Sequence, residues 1–468
     1  MRFKVRAATF FGGLLVALLL VVPATTASAA RNMSLGIVDL LLQDANGGTQ
    51  STWWDKAKSA GADSAKLHFY WSGVASTKPK NPRDPNDPAY YWDRYDDSIR
   101  NANKRNMDVI LDVSGAPKWA EGKNRPKDVP AGTWKPDAKA LGDFMYAVAK
   151  RYSGNFKDRA GVGLPKVEYI QVWNEPNIQA YLTPQWNGKK PAAPELYKKM
   201  LNESYEAVHK ANKHAKVVTA GTSPYGDDPG KKRMRPLSFW RQVFCLNSKN
   251  KRTKCKKPAR FDVLAHNPIN TSGPPTKPAS NKDDISSADM GRLAKTLHAA
   301  EKQHTIGGPK KHPLWASEIW YPSNPPEPKG YSLATQARYI EQTIYLMWKA
   351  GVSRTIVYTL RDRTGTPPYP WDSDGLYFIN NDPKPALTAY EFPFVADKKG
   401  KKLFVWGMAP KSGKVKIEFK PKGGGNWKTV GSAKAKGRVF TKTIKKQGKG
   451  ELRASVGGRN SLGWDLGG

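Results

Sequence analysis

From residue 33 to residue 391 the chain repeats one pattern eight times: a short apolar run, then a segment of helical character. The runs at 33–42, 66–71, 107–113, 167–172, 216–220, 261–265, 313–317 and 355–360 read as strands. The segments at 51–61, 91–106, 137–152, 193–213, 237–245, 287–303, 333–350 and 385–391 read as helices; that at 193–213 shows the three-and-four apolar spacing most clearly. Strands that alternate with helices pair in parallel. Eight such units over about 360 residues suit an α/β fold closed as a (β/α)8 barrel, the TIM barrel, better than an open sheet. No glycine-rich phosphate loop follows the first run, which argues against a doubly wound nucleotide-binding fold.

Both ends differ from this repeat. Arg2, Lys4 and Arg6 precede an apolar stretch that ends near Pro23, and Ala27-Ser28-Ala29 has the small residues of a cleavage site. Residues 1–30 therefore read as a secretory signal peptide, with an uncleaved anchor as the alternative. No other stretch approaches the ~18 apolar residues that span a bilayer, so the mature protein is expected to be secreted. After Phe394 the pattern becomes short alternating runs, "KLFVWGM", "KVKIEFK", "WKTVGSA", "RVFTKTI" and "ELRASVG", behind a basic stretch, "VADKKGKK", that reads as a linker. The expected division is a leader at 1–30, a barrel at 31–394 and a small basic all-β sandwich at 395–468.

The formal charge is +37, or +34 without the leader, and residues 395–468 carry +15 of it. Such a balance favours anionic partners; a surface that simply uses Lys on solvated faces is the bland alternative. The charge is diffuse, with no basic helix and no RNA-binding signature, so no specific nucleic acid is expected. The two cysteines, Cys245 and Cys255, bracket a short basic loop. Export makes a disulfide the expected state, and no further Cys or His lies nearby to complete a metal site. Seven scattered His residues without paired spacing call for no metal, and no cofactor is expected. The 16 Trp and 19 Tyr fit a large core and also sugar-stacking surfaces.

Functional groups on such a barrel gather at the C-terminal ends of its strands. Glu175 stands there in "VWNEPN" after the fourth run, and Glu318 in "LWASEIWYP" on the seventh. Trp119 follows the third run, His266 and Asn267 the sixth, and Tyr358 and Arg361 the eighth. Two carboxylates on opposite sides of a barrel mouth suit glycosidic bond cleavage: one protonates the leaving oxygen, the other attacks the anomeric carbon or activates water.

These motifs resemble glycoside hydrolase clan A over most of residues 33–390. "DVLAHNP" on the sixth strand and "DGLYFINNDPKPAL" near the barrel's end are most similar to family 39 and its exopolysaccharide-cleaving relatives. The resemblance implies a retaining hydrolase with Glu175 as acid/base and Glu318 as nucleophile. It implies that Asn174 binds the sugar 2-hydroxyl and that His266 helps position a catalytic carboxylate. Trp119, Trp320, Tyr358 and Lys66 complete the expected substrate-binding set. Lys66 stands where many clan members carry Arg, and Lys lacks the planar two-toothed fork.

A lone Glu at a strand end is commonly a solvated or ion-paired residue, His266 could be a satisfied structural histidine, and Trp119, Trp173 and Trp320 could be core aromatics. Asp112, deep on the third strand, reads as structural. The alternative function is a non-catalytic carbohydrate-binding protein on a glycosidase-like barrel. The sugar, its charge, the linkage, internal or terminal cleavage and oligomeric state are not encoded legibly.

Overall fold

In a computed structural model, residues 29–467 are described, apart from 31, 272, 364–369 and 436, and with backbone only at 370 and 371. The leader expected at 1–30 lies, but for its last two positions, outside the described residues. No helix among the described residues is long and apolar enough to cross a membrane.

Eight strands form one parallel sheet: β1 (Ser34–Val38), β2 (Ser64–Tyr70), β3 (Asp108–Ser114), β4 (Tyr169–Val172), β5 (Lys216–Thr219), β6 (Leu264–His266), β7 (Leu314–Ile319) and β8 (Val352–Tyr358). Their hydrogen-bonded order is β5-β4-β3-β2-β1-β8-β7-β6. The last gap, between β5 and β6, is spanned by the bridges Val218–Val263 and Thr222–His266, and Asp262 N donates to Val217 O at 2.8 Å. These contacts turn the sheet into a barrel.

Around it lie α1 (Gly47–Ser59), α2 (Asp93–Lys104), α3 (Ala138–Arg151), α4 (Ala193–Ala211), α5 (Pro236–Val243), α6 (Met290–Lys302), α7 (Leu333–Lys349) and α8 (Pro385–Glu391). Their starts are written locally. Asn46, Asp137 and Ser332 side chains accept from the backbone N–H three residues on, and Pro occupies the first turn of α4, α5 and α8.

The two faces of each strand diverge in chemistry. Ala65, Leu67 and Phe69 of β2 join the core under the helices, while Lys66 points inward. The inside of the barrel has an apolar floor of Val38, Ile110, Val218, Trp315 and Ile356. Below it the Arg354 guanidinium sits 4.7 Å from the Tyr169 ring centroid and 4.5 Å from that of Trp315, and is paired with Asp108 at 2.7 Å. Lys66 and Asp112, also inside the barrel, are fully buried.

The C-terminal strands are β9 (Phe394–Lys399), β10 (Lys402–Met408), β11 (Gly413–Pro421), β12 (Lys428–Ala435), β13 (Val439–Lys445) and β14 (Gly450–Val456). They make two antiparallel sheets, β9-β10-β13 and β12-β11-β14, around Phe394, Val405, Ile417, Phe440 and Leu452. The "VADKKGKK" stretch is not a linker. It is the β9–β10 hairpin, with Lys398, Lys399 and Lys402 exposed at its tip. The sandwich is packed on the barrel: fully buried Trp406 lies 5.4 Å from Tyr345 and 5.8 Å from Trp348 of α7, between ring centroids. Arg438 Nη1 also donates to Gly61 O at 2.8 Å, and Arg338 lies 3.9 Å from the Trp464 ring centroid. Cys245 and Cys255 are joined as a disulfide.

Candidate active site

Strand β4 ends in an unusual backbone. Trp173 and Glu175 are non-glycine residues at φ 74° and φ 35°. Such conformations cost free energy and persist only where the surroundings impose them. Here Trp173 N donates to Val113 O at 2.8 Å, and Glu175 N donates to Gly221 O at 3.0 Å. Trp173 is buried and its Nε1 donates to Tyr181 O at 2.8 Å, while Asn177 Nδ2 reaches Ser223 O and Met234 O. The chain is bent so that Glu175 looks over the mouth instead of into the wall.

Strand β7 reaches the same end by another device. Ala316 pairs with Thr355 and Ile319 with Val357, so three steps along β7 match two along β8. One extra residue in a strand re-aims its side chains. Ser317 and Glu318 consequently both serve the site, although neighbours on a regular strand face opposite ways.

Glu318 Oε1 lies 2.5 Å from Lys66 Nζ, whose amine is fully buried and also 3.4 Å from Asp112 Oδ2. Burial opposes charge on Lys66, but Glu318 and Asp112 outweigh it and its pKa lies above the ordinary lysine value. Asp112 is tied in turn to Gln171 Nε2 at 2.7 Å, with His68 Nδ1 3.6 Å away.

Glu175 is held differently. Asn267 Nδ2 donates to its Oε1 at 3.0 Å, and Asn267 Oδ1 accepts from Ser317 Oγ at 2.6 Å. The backbone of Gly221 lies against this pair: a Cβ there would meet Asn267 Oδ1 and Ser317 Oγ at 2.3 Å. Burial, then the Glu318 charge, push the Glu175 carboxyl up to about 8, against the smaller opposing pull of Asn267 and Lys66. Two glutamates thus meet opposite environments, one beside an ammonium and one beside an amide in a poorly solvated niche.

The other expected site residues divide. Asn174 is buried beside Glu175, and its Oδ1 has no hydrogen-bond partner among the described residues. Tyr358 is at the mouth, accepts from Arg363 Nη1 at 2.7 Å and meets the His68 ring edge-on at 6.3 Å. Trp119 is partly buried with its Nε1 spent on Ala75 O at 2.8 Å, and Trp320 is partly exposed just beyond β7. Two expectations change. His266 is fully buried, its nitrogens engaged by Thr222 Oγ1 at 2.8 Å and Ile285 O at 2.9 Å, and burial lowers its pKa to about 4. It has no surface for a sugar, and its neighbour Asn267 is the residue that touches Glu175. Lys66, placed in the substrate-binding set, is also sealed from solvent and touches carboxylates instead.

Sequence reasoning passed over His68, Tyr70 and Tyr181, and placed Asn267 after the sixth run without giving it a role. Tyr70 is 47% exposed at the end of β2 and stacks beside His68 at 6.2 Å. Tyr181 is 37% exposed, and after burial the charges of Glu175 and Glu318 do most to raise its pKa. Both are exposed rings of the kind a sugar face stacks on. The inward period of β2, read from Lys66, could have pointed to His68 and Tyr70.

No family model and no curated protein matches this sequence. Solved structures share its fold at low identity. A family 39 glycoside hydrolase from the gut symbiont Bacteroides cellulosilyticus matches with a TM-score of 0.55 at 15% identity, over 89% of this chain and 79% of that one. GH5_18 from Streptomyces cattleya in complex with GlcNAc matches with a TM-score of 0.51 at 15% identity, over 78% and 80%. A glucosidase from Croceicoccus marinus matches with a TM-score of 0.51 at 11% identity, over 90% and 94%. The neighbours are glycoside hydrolases, the class that the two glutamate motifs resemble.

Proposed function

We propose that this chain is a secreted retaining glycoside hydrolase acting on a polysaccharide or oligosaccharide, with Glu318 as nucleophile and Glu175 as acid/base. The observation that carries the reading is the split environment of the two glutamates: an ammonium at 2.5 Å from Glu318, and a carboxyl at Glu175 raised to about 8. The leader-like first thirty residues and the disulfide support export.

In the first step a Glu318 oxygen attacks the anomeric carbon as the bond to the leaving oxygen breaks, and the Glu175 proton passes to that oxygen. The product is a glycosyl ester on Glu318. Esterification removes the Glu318 charge, so the second-largest of the causes that raise the Glu175 pKa disappears and Glu175 becomes the base. In the second step water gives its proton to Glu175, its oxygen attacks the anomeric carbon, and Glu318 leaves as carboxylate. Two inversions give net retention, for which the carboxyls should stand ~5–5.5 Å apart. In this reading Asn174, whose Oδ1 has no hydrogen-bond partner among the described residues, accepts from a sugar hydroxyl, and Tyr70, Tyr181 and Tyr358 offer ring faces around the mouth.

The alternative of a disabled, sugar-binding barrel draws on the replacement of Arg by Lys66. Lys66 still reaches Glu318, so the counter-charge to the nucleophile is kept. The test is a panel of neutral and acidic glycans given to wild type and Glu318→Ala in parallel. Cleavage of at least one glycan by wild type, lost in the variant, is expected. Cleavage that survives in Glu318→Ala would overturn the assignment.

A further inference from the structure

We infer that the groove between α5, the disulfide-closed loop and α6 is a binding surface for an anionic polysaccharide; choosing a glycan among polyanions rests on the hydrolase reading above. The groove has a volume of about 610 Å³ and is lined by Lys249, Lys251, Lys282, Lys295 and Lys302, all exposed. None of these five forms an ion pair among the described residues. Asp283 is the one carboxylate in the lining, and it is already taken by Arg241 Nη1 and Ser238 Oγ, each at 2.7 Å. Arg292, also in the lining, is paired with Asp289.

A diffuse lysine-rich surface does not explain this concentration. The cleft between α3 and α4, about 1010 Å³, is also rich in Lys but carries four carboxylates, Asp137, Glu195, Glu203 and Glu206, two of them paired within the lining: Glu195 with Lys198 at 2.8 Å and Glu206 with Arg260 at 2.7 Å. The α5–α6 groove has no such acids to spare. Lys302 gains from the C-terminal end of the α6 dipole, but Lys249, Lys251, Lys282 and Lys295 have no comparable partner, and like charges held together destabilise the compact state.

The cluster is also fixed in place. The Cys245–Cys255 bridge closes the loop that bears Lys249 and Lys251. The loop is pinned to the residue that caps the end of α6, since Gln303 Nε2 donates to Asn250 O at 2.8 Å and Gln303 Oε1 accepts from Arg252 N at 2.9 Å. Arg241 Nε donates to Asn250 Oδ1 at 3.0 Å from the α5 side. A stapled loop keeps its lysines beside those of the helix without the entropic cost of ordering them on binding. Lys282 follows the C-terminal end of β6, on the carboxylate side of the barrel, and Lys302 ends α6 on the other side. The helix between them is ~20 Å long, so a polymer lying in the groove leads along the outer wall toward the mouth.

The experiment uses the full chain and three probes: polygalacturonate, uncharged dextran and single-stranded DNA. Binding is measured across a salt series for wild type, for a groove variant with Lys249, Lys251, Lys295 and Lys302 changed to Ser, and for a control with Lys414, Lys416, Lys422 and Lys428 of the sandwich changed to Ser. Thermal melting verifies that each variant is folded. The groove variant should lose on the order of tenfold or more in polygalacturonate affinity at low salt, by analogy with lysines near an anionic surface, and the control clearly less. Salt should erase the difference as the Debye length falls from ~10 Å at 0.1 M to ~3 Å at 1 M. Equal losses in both variants would assign the binding to diffuse charge, and wild type that prefers dextran or binds neither glycan would reject the groove. Tighter binding of DNA than of polygalacturonate, lost in the groove variant, would make it a nucleic-acid surface instead. Binding is read without turnover, so failure of the catalytic assignment shows separately, as unimpaired cleavage by Glu318→Ala.

Discussion

At the scale of single residues, the raised Glu175 pKa sets two measurable limits. The acid form is needed for the first step, so the rate of glycosylation should fall as pH rises through about 8. Asn267→Ala removes a donor that favours the charged form, and should move that limb to higher pH; an unmoved limb would mean Asn267 only fills space. The same shift has a stability sign. Both states bind the proton below the ordinary Glu value of 4.5, and the unfolded chain loses it first as pH rises toward about 8. Stability is therefore lost across that window. Glu175→Gln should melt a few degrees higher than wild type near pH 8 and no higher near pH 4, read by calorimetry. Lys66→Ala has the opposite character: it strands Glu318 and Asp112 without their shared cation. The loss should be about 3–5 kcal/mol in urea unfolding, the scale for breaking a buried ion pair from one side. The two glutamates and Lys66 were legible in the sequence because each follows or lies in an apolar run. Asn267 was legible as a strand-end position but its role was not, because adjacent His266 carries the more conspicuous chemistry, and only the fold tells which of the two faces Glu175.

At the scale of elements, the order of strands and helices could be read directly, and most boundaries fell within a few residues. The misses have physical causes. The run at 33–42 stops being a strand at Val38, because the Asp39 side chain accepts from Leu41 N at 2.8 Å and starts a short 3-10 turn through Leu40–Gln43. Apolar periodicity alone cannot separate a strand from a buried turn. The hairpin at Gly400 was hidden by its lysines, which sit on the solvated tip of a strand pair. The extra residue in β7, which brings Ser317 and Glu318 to one side, leaves no mark in the sequence pattern. Two element-level changes test this account. Gly221→Ala should push Asn267 or Ser317 out of place and lower turnover with the acid limb displaced. Opening the disulfide with Cys245→Ser plus Cys255→Ser should remove about 2–3 kcal/mol of stability in the chain-entropy account, and unreduced wild type should give the linked peptide in mass spectrometry.

At the scale of the whole molecule, the sandwich is a structural partner of the barrel before it is anything else. Its Trp406 is buried against Tyr345 and Trp348 of α7, so Trp406→Ala should cost about 3–5 kcal/mol, the range for a large aromatic lost from a core. Barrel and sandwich should melt together in one calorimetric transition in wild type. The sequence did not reveal this packing, because the domain's +15 charge is visible in composition and its buried interface is not. Packing does not preclude surface attraction, and the groove variants separate that contribution from the stapled loop's. The central claim is the division of labour between Glu318 and Glu175, and the most direct measurement is the configuration of the product formed when azide replaces the missing carboxylate, with an activated glycoside of the sugar found in the panel. Glu318→Ala with azide should give a glycosyl azide of inverted configuration by nuclear magnetic resonance, and Glu175→Ala should give one of retained configuration. Retained product from Glu318→Ala, or inverted product from Glu175→Ala, would contradict the assignment.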